Sequence, residues 1–355
     1  MAITYHAGRR IQGTQADFDG TPAVSGGWKE LDRTTLNSGA DSTIDVSSIP
    51  DKRYYMVLLD FPRSGTSQCG LKFNNVSTGT EYSRRYNYNY GSDSAPSGEA
   101  YMDFTGNGSS TNNFAVFFIA NKADAEKLVI MYGHEQGTSG DGAIGDARNQ
   151  IGKWHNVSSA LNRITAIVSA NNYAQGAEMV VLGWDPDDTH TTNFWEQLAS
   201  VDLPSAGNNI RAPSSGTFTA KKYLWVQCFM EQTNNTVTGN ITFNGDDSNG
   251  NYCRKRSNNG ATPASNGLGE NTIDVRGGES KNRFENMFIL NNASNEKLVI
   301  GHHVVTTAGA SNSPDRTEYI AKWINTSNQI TSINFNNIDS GDYGTKSFIR
   351  VWGAN

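Results

Sequence analysis

Tyr82-x-Arg84-x-Tyr86-x-Tyr88-x-Tyr90 is the stretch of this chain whose residue types and spacing could do chemistry. In an extended strand, alternation sets these five side chains on one face and Ser83, Arg85, Asn87 and Asn89 on the other. Tyrosine buries a large area at low entropic cost, and arginine presents a rigid fork of donors to carboxylates and carbonyls. Such a stripe fits a subunit interface first and a stacking platform for sugar rings second.

Bond-breaking chemistry has no comparable pattern. Gly-x-Ser-x-Gly, His-Glu-x-x-His and a phosphate-cradling glycine loop are all missing from the sequence. His302 and His303 are adjacent, so a strand would point them to opposite faces, where they could not share a metal. Cys69, Cys228 and Cys253 form neither a disulfide framework nor a metal-ligand spacing, and are expected to be free thiols in or near strands. Aspartates gather at Asp185, Asp187 and Asp188, at Asp246 and Asp247, and at Asp141 and Asp146. None of these groups completes a calcium loop; solvated turns are the default reading, and an oxygen-lined site drawn from separate loops is the alternative. The expectation is a non-enzymatic protein with no catalytic residue, cofactor or metal ligand.

Composition narrows the partners. The net charge is −6 and the pI about 5.5, which leaves no basic field to hold a nucleic acid by its phosphates. No run of eighteen apolar residues offers a membrane span, and Met1 to His6 turns polar at once, so a soluble product without an export leader is expected.

The elements that must position the stripe occur twice. Asn121 to Ile130 returns as Asn291 to Ile300, Phe73-Asn74 as Phe243-Asn244, and Tyr82-Ser83-Arg84-Arg85 as Tyr252-Cys253-Arg254-Lys255, each at an offset of 170 residues. Lys153-Trp154 matches Lys322-Trp323 at 169, and Trp28 matches Trp195 at 167. The chain is therefore two copies of one module. The repeated Glu126-Lys127 and Glu296-Lys297 read as turn or edge-strand ion pairs. Trp154 and Trp323, each a few residues after Arg148 or Arg316, read as caps of a sandwich end with a locally satisfied indole N–H. In the second copy the tyrosine stripe becomes Tyr252, Arg254, Arg256, Asn258 and Gly260, so the stripe belongs at a surface or interface rather than in the shared core.

Short β-branched and aromatic runs separated by Gly, Asn, Ser and Asp clusters predict around eight antiparallel strands per module and no helix. In the first copy they include Tyr54–Leu59, Phe114–Ile119, Lys127–Met131 and Met179–Leu182. The predicted class is all-β: two tandem antiparallel, jelly-roll-like β-sandwich modules with an extended N-terminal arm. The arm spans 1–27, module one 28–186, a polar linker 187–193 and module two 194–355. The arm reads either as a tail or strand against its own module, or as an anchor in which Arg9 and Arg10 grip a neighbouring subunit.

His6 to Gly13, Trp28-Lys29-Glu30-Leu31, Phe73-Asn74-Asn75, Tyr82 to Tyr86, Glu126 to Ile130, Gly152 to Asn156 and Glu178 to Gly183 together resemble modules of virion proteins of phages and archaeal viruses. The resemblance covers nearly the whole chain, but its motifs are structural and bring no functional residues. Module two departs from it at Ser347 to Gly353. It implies a structural protein made in the host cytoplasm and exposed on the virion, decorating a capsid as a homo-oligomer beside other virion proteins. Two further roles stay open: a tail-fibre or spike protein reading a host-surface glycan through Tyr86, Tyr88 and Tyr90, and, ranked below it, a double jelly-roll shell protein.

Overall fold

The structure is a computed structural model and describes residues 27–355 except 106–111, 123, 141, 187, 189–191, 234–236, 262, 264, 280 and 307–311. Residues 1–26 of the predicted arm, with Arg9 and Arg10, and part of the linker lie outside the described residues.

The first copy contributes twelve strands: β1 (Lys29–Thr35), β2 (Thr43–Ser47), β3 (Tyr54–Asp60), β4 (Cys69–Phe73), β5 (Tyr82–Tyr88), β6 (Ser97–Glu99), β7 (Met102–Asp103), β8 (Asn113–Ala120), β9 (Lys127–Glu135), β10 (Asp146–Trp154), β11 (Arg163–Val168) and β12 (Glu178–Trp184). Eight of them form one antiparallel sheet in the order β1-β12-β3-β8-β9-β10-β5-β6, and four form a smaller sheet, β2-β11-β4-β7. The second copy repeats both sheets with β13 (Glu196–Asp202), β14 (Asn209–Ala212), β15 (Tyr223–Met230), β16 (Val237–Phe243), β17 (Tyr252–Asn258), β18 (Ser265–Glu270), β19 (Ile273–Glu279), β20 (Arg283–Leu290), β21 (Lys297–Val305), β22 (Asp315–Trp323), β23 (Ile333–Asn337) and β24 (Phe348–Ala354). Their orders are β13-β24-β15-β20-β21-β22-β17-β18 and β14-β23-β16-β19. The all-β, two-sandwich class is what the sequence predicts, with twelve strands per copy among the described residues rather than about eight. The extra strands are short or rich in polar residues, β10 (DARNQIGKW) above all, and so lack the apolar alternation that marks a strand.

Each sandwich closes on an apolar core between its large and small sheets. In module one Tyr55, Val57, Leu59, Ala115, Phe117, Met179 and Val181 of the large sheet meet Ile44, Val46, Leu71, Phe73, Ile164 and Ala166 of the small one. The alternate residues of the same strands point the other way and are buried as well. Met56, Leu58, Phe114, Val116, Val180 and Leu182 pack against Trp195, Tyr223, Phe288, Leu290, Leu298 and Ile300 of module two. The two large sheets therefore stand back to back, giving four layers. Burial on both faces explains why Tyr54–Leu59 and Phe114–Ile119 are continuous apolar runs instead of alternating ones.

Asparagine supplies the turns that both copies share. Asn74 (φ 49°) and Asn244 (φ 56°) adopt the left-handed conformation that Asn tolerates better than most residues. Asn74 Oδ1 accepts from the backbone N–H of Asn162 and Arg163 at 2.9 and 3.2 Å, and Asn244 Oδ1 from those of Thr331 and Ser332 at 2.8 and 3.0 Å. The repeated Phe-Asn pair is thus a core aromatic followed by a loop brace.

The contact between modules is only partly symmetric. Equivalent residues meet at its centre: Tyr132 and His302 with ring centroids 4.2 Å apart, Phe118 and Phe288 at 5.9 Å, and Asn149 Nδ2 donating to Glu318 Oε2 at 3.0 Å. To one side, module two's Tyr223, Leu298, Ile300 and Ile320 are 0–3% exposed. Their counterparts in module one, Tyr54, Leu128, Ile130 and Ile151, are 36–56% exposed. The polar contacts follow the same rule. Glu296 is sealed in the contact, where Lys322 pairs with it at 2.9 Å and Gln136 Nε2 and the Gly140 N–H donate at 2.7 and 2.5 Å. Its counterpart Glu126 faces solvent beside Lys153 and His155.

Candidate functional site

The stripe singled out in the sequence lies on β5, and its register with β10 defines the site. Tyr82 pairs with Trp154, Arg84 with Gly152, Tyr86 with Gln150 and Tyr88 with Arg148, all eight on the inner face of module one's large sheet. At one end this double row is core: Tyr82 and Trp154 are fully buried against Phe73, and the Phe73 N–H donates to Tyr82 OH at 2.8 Å. Tyr252 and Trp323 repeat that arrangement on Phe243. The expectation that the stripe lies wholly outside the shared core therefore fails at its first residue, which both copies keep as Tyr for the same hydrogen bond. Gly152 leaves room for the Met102 side chain over β10, which brings β7 close and sets Asp103 beside Arg84.

Further along, the row turns polar. Arg84 pairs with Glu99 at 2.7 Å and Asp103 at 3.3 Å, and its Cζ lies 4.5 Å from the centre of the Tyr86 ring. Burial opposes its charge, but the two carboxylates outweigh burial and raise its pKa. Burial also pushes the Asp103 carboxyl up, with Arg84 and the Thr105 N–H pulling against it. Arg148 stands over both tyrosines, its Cζ 4.5 Å from the Tyr86 centre and 5.0 Å from that of Tyr88. Arg148 and Gln150 are each only 4% exposed. Arg148 makes no hydrogen bond or ion pair with a described residue, its Nε is buried and unbonded, and both amide atoms of Gln150 are buried and unbonded. Tyr88 stays exposed at the rim, and burial followed by the nearby Asp146 raises its phenol pKa.

Tyr90 departs from the stripe. β5 ends at Tyr88, and Asn89 (φ 53°) and Tyr90 (φ 59°) form a left-handed turn that breaks the alternation. Tyr90 is buried with Ile144, Ala147, Cys253 and Ile320 in the contact between modules. Arg84, Tyr86 and Tyr88 are thus brought together, Tyr90 is not, and the sequence reading missed Arg148 and Gln150 because β10 carried no strand signal.

The remaining motifs are structural. Glu126 and Lys127 do not pair with one another, because neighbours entering a strand point to opposite faces. Lys127 Nζ donates to the carbonyls of Lys122 and Ala125, and Lys297 Nζ to those of Asn295 and Asn325. Trp323 Nε1 donates to Asp246 at 2.8 Å, whereas Trp154 Nε1 has no partner among the described residues, where the expected local bond therefore forms in one copy only. Asp246 also accepts from Asn251, and Asp185 and Asp188 flank Lys52. Asp141 and Asp187 lie outside the described residues. Among the described residues no group of three or more His, Cys, Asp and Glu could hold a metal ion. His302 and His303 do point to opposite faces, one onto Tyr132, the other 3.3 Å from Glu285 inside module two. All three cysteines are buried, each within a strand, and none is in a disulfide with another described residue.

No protein-family model matches the chain, and no curated protein matches it. Among solved structures it is similar to domains LG4-5 of the mouse laminin alpha1 chain, at 9% identity over 92% of this chain and 91% of that one, with a TM-score of 0.16. A loop-deletion mutant of OmpT, an outer membrane protein of Vibrio cholerae, aligns over 88% of this chain and 100% of its own at 9% identity, with a TM-score of 0.08. Likenesses this weak carry no argument, and they add no support to the resemblance to virion proteins.

Proposed function

We propose that this chain is a non-enzymatic structural protein exposed on a virion, a capsid-decorating or surface component that works as a homo-oligomer. The supporting observation is the uneven use of one duplicated face. Tyr54, Leu128, Ile130 and Ile151 keep in solvent the apolar surface whose copy in module two is sealed. A contiguous apolar strip of that kind suits contact with another subunit. Multivalency does the rest, since many weak contacts on one particle act at high effective concentration. The test is copy number per particle together with attachment: hundreds of copies and loss of attachment on deleting residues 1–27 support decoration with Arg9 and Arg10 as the anchor. Unchanged attachment without the arm removes the anchoring role, and about a dozen copies favours a fibre or spike.

The second reading, a fibre or spike protein that binds a host-surface glycan, draws on the Arg84, Tyr86, Tyr88, Arg148 and Gln150 face. Glycan or host-cell binding by the purified protein, lost in a Tyr86→Ala/Tyr88→Ala double variant, supports it. Retained binding in that variant counts against it.

A further inference from the structure

We infer that the inner face of β5 and β10 in module one is a binding site for an acidic sugar, with the sugar's carboxylate on Arg148 and Gln150 and its ring against Tyr88. The inference rests on the second reading above and names its ligand class.

The argument is a surplus of donors at one place. A guanidinium taken out of water is costly unless an anion or good acceptors replace the water. Arg148 has the two ring faces of Tyr86 and Tyr88 and no acceptor among the described residues. Ring faces offset part of that cost and leave the in-plane N–H groups free to donate. Gln150, two residues along the same face of β10, has both ends of its amide unbonded, and Arg84 keeps one unbonded, buried Nη1 despite its two carboxylate partners.

Module two is the internal control. At the positions of Arg148, Gln150, Tyr86 and Tyr88 it has Thr317, Tyr319, Arg256 and Asn258, in the same cross-strand register. There each of the four side chains has a partner: Thr317 Oγ1 donates to Asn258 at 2.8 Å, Tyr319 OH to Glu285 at 2.7 Å, and Arg256 pairs with Asp274 at 3.2 Å, while the unbonded atoms that remain nearby, Arg254 Nε and Nη1, Asp274 Oδ1 and Glu285 Oε2, include acceptors as well as donors. The same fold therefore gives Thr317 and Tyr319 internal bonds in one copy and leaves Arg148 and Gln150, at the equivalent positions, with unfilled bonds in the other. A carboxylate is the group that a guanidinium fork and an amide N–H bind together. The carboxylates already nearby are engaged, Glu99 and Asp103 with Arg84 and Glu135 with Arg63. A half-exposed Tyr88 at the rim gives a flat apolar face for the carbon side of a pyranose ring.

The test uses the full-length protein titrated with glucuronic acid, with glucose as the neutral sugar and acetate as the anion alone, followed by calorimetry or protein NMR. Saturable binding of glucuronic acid at least tenfold tighter than either control is expected. Arg148→Met should weaken it at least tenfold while the melting temperature holds or rises, because the variant removes a buried, unpaired charge. Tyr88→Ala, at an exposed position, should weaken glucuronic acid several-fold in a folded protein. Equal binding of acetate or glucose overturns the inference, as does undiminished glucuronic acid binding by Arg148→Met. Host-cell binding that survives Arg148→Met but not the double tyrosine variant overturns this site alone and leaves the broader glycan reading standing.

Discussion

Replacing Glu296 by glutamine, with the same change at Glu126 as its twin, isolates what the contact between modules contributes. The two residues hold equivalent places in the two copies and differ in surroundings. Glu296 and Lys322 have side chains 4% and 0% exposed, whereas Glu126 and Lys153 are 29% and 42% exposed. In Glu296→Gln the carboxylate that accepts from Lys322, Gln136 and Gly140 becomes an amide, one end of which is itself a donor, and the buried Lys322 ammonium loses its counter-ion. Breaking a buried pair from one side costs about 3–5 kcal/mol, while an exposed pair is worth about 0.2–1 kcal/mol. For modules of this size, at about 2–4 °C per kcal/mol, that is a fall of about 6–20 °C for Glu296→Gln and at most about 4 °C for Glu126→Gln. Thermal melts and urea titrations of the three proteins at neutral pH are the assay. A Glu296→Leu/Lys322→Met double variant should recover most of the loss, because it leaves no charge stranded. Equal shifts in the two single variants would refute the argument, since they would mean that the sealed contact does not form in solution.

Three other outcomes follow from the same geometry. Burial depresses the pKa of His134 to about 3 and that of His302 to about 4, both at the contact between modules, from an unfolded value near 6.5. The unfolded chain therefore takes up protons that the folded one refuses, so stability should fall as pH drops below about 6.5, by up to about 1.4 kcal/mol per pH unit for each histidine. A His134→Gln/His302→Gln variant should show a flatter dependence in urea titrations between pH 6.5 and 4.5. Tyr82→Phe and Tyr252→Phe each leave a buried backbone N–H, of Phe73 or Phe243, without its acceptor; each should cost about 1–3 kcal/mol, and by similar amounts in chemical denaturation. Gly301→Ala should be destabilising by about 1–3 kcal/mol in thermal melts, because its Cβ would enter the ring of Tyr319, the residue that faces it across β21 and β22.

The sequence was readable where both copies agree, and the reason is physical. Phe73-Asn74 and Phe243-Asn244 recur because one residue fills the core and the next must take a left-handed turn and brace a loop, which few other pairs can do. The doubly apolar runs Tyr54–Leu59 and Phe114–Ile119 carried a further message, burial on both faces, that marks the back-to-back packing in advance. The site was half legible. Alternation placed Arg84, Tyr86 and Tyr88 together, but it does not see a turn beginning at Asn89, and so misplaced Tyr90. Arg148 and Gln150 were invisible because β10 is polar along most of its length, and only pairing with β5 shows which of its side chains face inward. Pair swaps across strands were equally hidden. Met131 faces Gln150 in one copy and Gly301 faces Tyr319 in the other, an exchange of volume that only the register reveals.

Three couples of corresponding residues touching across the middle of the molecule, Tyr132 with His302, Phe118 with Phe288 and Asn149 with Glu318, have a historical consequence. Like meets like where two identical bodies share a dyad, so the arrangement is what gene fusion would preserve of an ancestral homodimer. The tether would then be dispensable. Cutting the peptide within 187–193 should yield two fragments that co-elute on size exclusion and separate only when denatured, whereas halves that drift apart spontaneously would mean that the join itself, rather than an inherited dimer, made the pairing.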